Sequence, residues 1–574
     1  MATAVGALVR CLSLRENLDF PHGDVHLDAA TARSLAAGRG FWTPWEEGTS
    51  LLPDPIGTTL DTFGHPADQH GPLWPLICAP LVRVLDDSVL ALQIMSWVAG
   101  VLTIGVGARV MGRFHPKAGV VAAWSLALCL PLCDYSGNGS LYAAQVLGVL
   151  MLPLVSRELA RPRDALAAGA LLGALFLLNY QCVVLLPAYA VALVGALGFS
   201  AAIRPLLISA AACLAVTLPW FVRNAVVLGN PLFTTNLDYV KYFLNLHRVD
   251  VEAGRPMILD DSSPGDIVRG MASWAPKNTI WFLTVIHLAV AVLPLLAVGG
   301  FGRLVQRDGQ GRRAVGGWLL LASFFALLLA AGIWPQPKSR YVVPLVALVA
   351  CASSLELAIG ARFLPAAAAA VTTALFGLYL NAPTDPGFPW KEARLLVPTL
   401  AVPVLFLLPA ARRWMPALCV SLMAFHGAFR AYISLDKPWG AEHVFGVKVE
   451  GASMFGPAGA TFYDVIAAPV KEGYEKVQLY DLKRAATSLR EAGVQRICAP
   501  VEIALFWRGG LVSTPWYMNQ FPRELYSRIR EVFGIDGLVI GYGTFHSADM
   551  KLWLGVSRAE TVYTGTDYMA VRWR

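Results

Sequence analysis

FPHGDVHLDAATARSLAAGRGFWTPW (Phe20–Trp45) and GHPADQHGPLWPLICAP (Gly64–Pro80) bracket the longest polar, turn-rich interval before the chain becomes a series of apolar blocks. The interval holds carboxylates Asp24, Asp28, Asp61 and Asp68 and imidazoles His22, His26, His65 and His70. The blocks that follow lie at Val89–Val110, Ala118–Cys133, Leu141–Val155, Ala165–Leu178, Cys182–Leu197, Leu206–Val226, Ile280–Val298, Val315–Ile333, Val342–Ile359, Phe363–Leu380, Leu396–Leu408 and Met415–Ile433. A membrane span needs about 20 apolar residues. Several blocks are shorter, which predicts tilted or partly buried helices. Of the 574 residues, 56% are hydrophobic and 15% charged, where a soluble domain carries about 25% charged residues. Mean hydropathy is +0.54. The chain reads as a polytopic α-helical membrane protein with about 12–13 transmembrane helices, the apolar blocks plus a partial first one. The partial one is Ala2–Leu14, interrupted by Arg10. It is too short to cross, lacks a small-residue cleavage site, and reads as a truncated first helix.

Orientation follows from Arg and Lys. Arg113, Lys117, Arg157, Arg161, Arg163, Arg204, Arg303, Arg307, Arg312, Arg313, Arg412 and Arg413 fall in one set of turns. The alternate loops are Cys133–Ser140, Leu228–Asn278, Pro335–Arg340 and Asn381–Ala393. The positive-inside rule makes the first set cytoplasmic. The opening loop (20–80), the long loop (228–278) and the C-terminal region are then extracytoplasmic. The net charge of +7 is spent in these turns and does not point to nucleic acid. Nine cysteines, most within apolar segments, give neither a disulfide framework nor a CxxC metal spacing.

The organisation is a membrane module over 1–435 and a soluble α/β domain over 436–574. In the latter, LYDLKRAATSLREAG (Leu479–Gly493) has amphipathic helical spacing and a Gly stop. VQRICAPVEIALFW predicts a strand and a helix, ELYSRIREVFG another helix, and GLVIGYGTFH and YMAVRWR strands.

Four stretches carry a resemblance. They are GDVHLDAATARSLAAGRGF (Gly23–Phe41), HGPLWPL (His70–Leu76), LPWFVRNAVVLGNPLF (Leu218–Phe233) and SRYVVPLVALVA (Ser339–Ala350). In this order, at the outer helix ends, they resemble the GT-C membrane glycosyltransferases. The subgroup in view includes protein O-mannosyltransferases and lipid A aminoarabinose transferases. The resemblance covers about Asp24 to Pro344 and is weaker in the C-terminal domain. It implies an inverting transferase that moves a monosaccharide, a hexose or pentose, from a polyprenyl-phosphate donor to a protein, lipid or glycan acceptor. It further implies a bacterial inner (plasma) membrane location, with membrane lipids around the donor's tail and no nucleic-acid partner.

The chemistry asks for few groups. The leaving phosphate is already a stable anion and needs cations rather than a general acid. The acceptor hydroxyl needs a carboxylate base within hydrogen-bond reach. By resemblance Asp24 is that base and Asp134 a second functional carboxylate, while His70, Lys338, Arg340 and Tyr341 hold the donor phosphate. Val25 stands where the family often has a second acid, so Asp28 or Asp61 is left to supply it. Gly71 replaces a usual Pro. Asp24 is equally placed for a helix N-cap, and Asp134 for a turn beside Gly137 and Gly139. Arg223 and Asn224 read as helix-end anchors. Trp42, Trp45, Trp74, Trp220, Trp274, Trp281, Trp334 and Trp390 read as an aromatic belt. A divalent cation between carboxylate and phosphate is compatible with these residues, and nothing in the sequence demands one. A rival reading is a transporter or flippase of a lipid-linked or polar substrate, which would carry mid-helix charges and broken helices.

Overall fold

The computed structural model describes residues 1–17, 25–43, 46–47, 65–67, 70–156, 161–232, 248–250, 257–259, 263–290, 293–306, 312–334, 339–359, 481–500, 503, 507, 509–514, 534–541, 559–565 and 568–573. Its helices in chain order are α1 (Ala2–Asn17), α2 (Val25–Ala36), α3 (Leu73–Leu85), α4 (Ser88–Phe114), α5 (Pro116–Leu128), α6 (Leu130–Gly137), α7 (Tyr142–Val155), α8 (Pro162–Leu178), α9 (Leu185–Leu197) and α10 (Phe199–Leu228). They continue with α11 (Pro264–Val290), α12 (Leu293–Gln306), α13 (Arg312–Ile333) and α14 (Val342–Ile359). A further helix, α15, covers 481–491. Local chemistry sets several starts. Pro116 and Pro162 occupy the first turns of α5 and α8, where the missing N–H costs no bond. The Asp87 carboxylate caps α4 by accepting from the Leu90 N–H at 3.0 Å.

Among the described residues, five helices are long and apolar enough to span a membrane, and α5 and α6 form an apolar pair bent by 68°, the shape of a broken span or a re-entrant loop. The chain is an integral membrane protein. The predicted spans Val89–Val110, Leu141–Val155, Ala165–Leu178, Cys182–Leu197, Leu206–Val226, Val315–Ile333 and Val342–Ile359 each find a helix. Ala118–Cys133 is corrected: it runs from α5 into α6 across a 68° bend, and an apolar run does not by itself report a bend in the helix it feeds. Ile280–Val298 covers the end of α11 and the start of α12, with residues 291–292 outside the described residues. The predicted spans Phe363–Leu380, Leu396–Leu408 and Met415–Ile433 lie outside the described residues, as does the predicted helix ELYSRIREVFG apart from its final Gly534.

α14 is the centre of the bundle. Every residue from Val342 to Leu357 is buried, as expected of a helix apolar on all sides. Small residues let its neighbours close in. A Cβ on Gly300 of α12 would lie 1.9 Å from the Ala352 carbonyl oxygen, so the two backbones touch. Glu356, fully buried, is ion-paired to Arg303 of α12. Removing one partner of such a buried pair costs about 3–5 kcal/mol. The ends of α4 and α7 and the start of α13 meet. The Arg113 Nη1 donates to the Pro153 carbonyl at 3.2 Å, and Gly316 faces Phe114 and Pro153.

The strands form three sheets. β1 (Trp42–Thr43) pairs antiparallel with β3 (His65–Pro66), and β4 (Arg248–Asp250) with β5 (Met257–Leu259). The large sheet takes β2 (Glu46–Glu47), β6 (Arg496–Pro500), β7 (Gly510–Thr514), β8 (Gly537–Gly541), β9 (Ala559–Thr564) and β10 (Tyr568–Trp573) in the order β2-β7-β6-β8-β10-β9. Pairing is parallel from β2 to β8 and antiparallel from β8 to β9. The α/β character expected of the C-terminal region is there, and β6, β8 and β10 fall on predicted strands. Its edge, however, is supplied by the opening loop. α15 ends at Gly493, with φ +78°. There the Val494 N–H donates to Leu489 O and the Gly493 N–H to Arg490 O, a left-handed cap that Gly adopts without strain.

α2 joins the two halves. Val25, Ala29 and Ala32 belong to the membrane core. Ala30, with Leu27 against it, belongs to the C-terminal core of Leu482, Ala485, Leu489, Ile497 and Val539. In β6, burial pushes the Cys498 thiol up to about 12. Since the thiolate is the nucleophile, Cys498 is expected to resist iodoacetamide at pH 8 in the folded protein and to react fully once unfolded. Mass spectrometry of the Cys498 peptide under both conditions reads this directly.

Candidate functional site

Several helix ends converge on α2 and the turn before α3. Asp28 lies in the first turn of α2, where the helix dipole favours a carboxylate. It shares a face with Val25, Ala29 and Ala32, the spacing that turns it toward the membrane core. There it is 3% exposed, and its Oδ1 is 3.1 Å from His70 Nδ1. Such a contact holds a proton on Nδ1 and leaves Nε2 as the ring nitrogen open to a ligand. When protonated, the ring is a cation held by a buried carboxylate.

His70 is fixed from behind as well. The Tyr180 hydroxyl donates to the His70 carbonyl at 3.3 Å and accepts from Trp220 Nε1 at 2.9 Å. Trp220 in turn meets the Phe41 ring edge-on at 5.1 Å and carries the Arg223 guanidinium 4.7 Å over its face. Arg223 Nη2 donates to the Phe41 carbonyl at 3.1 Å. Arg223 therefore anchors the helix end to the opening loop, the role read for it. Trp74 and Trp220 differ from the belt expected of them. Both are buried, and Trp74 Nε1 donates to the Gly139 carbonyl at 3.1 Å.

Gly71 explains its own departure from the family. A Cβ there would lie 2.2 Å from Leu177 O and 2.9 Å from Leu178 O, the carbonyls at the end of α8. Only glycine lets the His70 turn sit against that end.

On the other side, Tyr142 opens α7, buried, within electrostatic reach of Tyr341, Tyr135 and Asp28. The Tyr135 and Tyr142 rings meet edge-on at 5.6 Å. Arg340 stands 5.5 Å over the Tyr341 ring, at the start of α14, and Trp334 packs edge-on to Tyr341 at 6.4 Å. The structure thus brings His70 to Asp28, and Asp28 and Tyr341 to a common neighbour in Tyr142. Asp134 sits in α6 between Cys133 and Tyr135. Asp24 and Lys338 lie outside the described residues. Tyr142, Tyr180 and Trp220 were missed as site residues. Each reads in sequence as an ordinary aromatic at a helix end, and only the folded contacts separate them from a belt. Among the described residues no three His, Cys, Asp or Glu side chains come together as a metal site. Asn138 of the Asn138-Gly139-Ser140 sequon is buried, its Oδ1 accepting from the Ser140 N–H at 3.0 Å.

Comparison with known structures gives the class. ArnT from Cupriavidus metallidurans bound to undecaprenyl phosphate superimposes with a TM-score of 0.58 at 14% identity, covering 99% of this chain and 97% of that one. The apo form of the same ArnT gives 0.57 at 14% identity over 99% and 96%. The chain is a membrane protein of GT-C fold. ArnT, a lipid A aminoarabinose transferase, is a protein to which it is similar in architecture along nearly its whole length. No protein-family model matches the chain, and no curated protein matches it.

Replacing Gly71 by Ala is expected to push the His70 turn off α8. Hydrogen–deuterium exchange in peptides over 70–76 of purified Gly71→Ala should therefore rise above that of wild type. Unchanged exchange would show that the turn tolerates a Cβ.

Proposed function

We propose that this protein is an inverting glycosyltransferase. It moves a monosaccharide, hexosyl or pentosyl, from a polyprenyl-phosphate donor to a protein, lipid or glycan acceptor at the outer face of a bacterial inner membrane. The observation that carries the reading is the pairing of buried Asp28 with His70, with Tyr142 within electrostatic reach of both Asp28 and Tyr341 and Arg340 lying over the Tyr341 ring. Its support from outside the chain is that an ArnT with this fold holds undecaprenyl phosphate. Residues 1–435 form the transferase module and 436–574 an extracytoplasmic α/β domain.

In the reaction the acceptor oxygen attacks the anomeric carbon as Asp24 takes its proton. The carbon–oxygen bond to the phosphate breaks on the far side, its electron pair leaves with the phosphate, and configuration inverts. Asp134 orients the acceptor or assists the base. His70, polarised by Asp28, works with Lys338 and Arg340 to neutralise the leaving phosphate, and Tyr341 lines its site. The start of α14, next to Arg340, adds a dipole of the same sign. No step calls for a metal.

Loss of a general base costs about 10²–10⁴-fold. Asp24→Asn should therefore remove the product from envelope glycans, lipids and glycoproteins read by mass spectrometry against a gene deletion, with expression and membrane insertion unchanged. Asp28→Asn should lower it less, through His70. Full product with Asp24→Asn would sink the assignment. The bend between α5 and α6 also suits a transporter or flippase; that alternative predicts movement of a lipid-linked substrate with no new glycosidic bond.

Orientation has its own test. Alkaline phosphatase joined after Arg574 should be active, and joined at Lys117 inactive. The reverse pattern would overturn the placement of the site outside.

A further inference from the structure

Arg10 interrupts the first apolar stretch, yet it is fully buried. Its Nε donates to Ser136 Oγ at 3.2 Å. Nη1 donates to Gly6 O and Ala127 O, each at 3.1 Å, and Nη2 to Leu126 O at 2.9 Å. Two of these acceptors are carbonyls of the last turn of α5, among those a helix end leaves without an intrahelical partner. The guanidinium thus fills the elbow where α5 gives way to α6, and its charge faces the negative end of the α5 dipole. α4 makes room for it: a Cβ on Gly100 would lie 2.0 Å from Ser136 Oγ and 3.1 Å from Arg10 Nε.

α6 hangs from this elbow. Its ties include the Cys133 thiol donating to Ala127 O at 3.4 Å, the Ser96 hydroxyl donating to Tyr135 O at 2.8 Å, and Trp74 Nε1 donating to Gly139 O just beyond its end. A hold on Ser136 therefore fixes the backbone of α6 against the end of α5. The turn that follows passes through Gly139, with φ +84°, to Tyr142.

We propose that Arg10 is a positioning residue: from α1 it locks the α5–α6 elbow and so holds α6, the helix that carries position 134, and the turn leading to Tyr142 in place at the site. The proposal rests on the transferase reading for the site's role, and on the geometry alone for the lock.

The test compares purified full-length wild type with Arg10→Met, which keeps the stem and removes the donors, Arg10→Lys, and Gly100→Ala, which crowds the elbow with Arg10 intact. Hydrogen–deuterium exchange should rise in peptides over 130–141 for Arg10→Met and Gly100→Ala and remain lower in Arg10→Lys. Turnover should fall by about 10²-fold, the effect of misplacing a group by about 1 Å, with KM for the lipid donor changed less than about threefold. Arg10→Lys should recover part of the turnover. Unchanged exchange over 130–141 in both Arg10→Met and Gly100→Ala overturns the lock. Altered exchange with wild-type turnover overturns the catalytic role. If Arg10→Met fails to fold, Gly100→Ala decides alone by the same two readouts. A wild-type protein that makes no glycosidic product removes the transferase reading and leaves the exchange data to judge the lock.

Discussion

α2 is a helix that has to be covered twice. Val25, Ala29 and Ala32 need the membrane bundle, while Leu27 and Ala30 need the C-terminal core. A twelve-residue helix is marginal in water on its own, so its existence depends on both covers being present. Asp28 is on the bundle-facing side and owes its burial, and hence its hold on His70, to that double packing. The soluble domain is therefore part of what places the carboxylate.

The remaining polar chemistry follows the same economy of helix ends. Trp220, Tyr180 and the His70 backbone form one run of hydrogen bonds, so indole, phenol and peptide groups satisfy each other where a lone buried polar atom would be costly. Two charges inside the bundle are handled differently. Glu356 has a partner of opposite sign in Arg303. Arg10 is held by carbonyl oxygens and a hydroxyl, which suits a planar group with five donors.

Much of the bundle was legible because apolar spacing reports burial, whichever neighbour does the burying. Ser88–Phe114 and Phe199–Leu228 are long, uniform and capped, and the sequence marks them plainly. The α5–α6 bend was illegible because the apolar run continues through it. His70 was found through its motif, but its partner was not: Asp24, Asp28 and Asp61 are equivalent as letters, and the fold picks Asp28 by placing it three residues from Val25 and one from Ala29 on a buried face. Arg10 looked like a fault in a span because a sequence shows the charge and not the carbonyls waiting for it. β2, at two residues, is too short to leave any periodic trace.

That short strand ties the two ends of the chain together in time as well as space. Glu46 and Glu47 lie parallel to Val512 and Ser513, which are made more than 400 residues later. Non-local pairings of this kind form late, and chains emerge from their N-terminal end. The opening loop must then wait, with its edge unpaired, until the final domain has been delivered to the same side of the membrane. Pairing of the opening loop thus reports that synthesis has passed β7: a chain interrupted before it can form helices, but it leaves β2 without its partner.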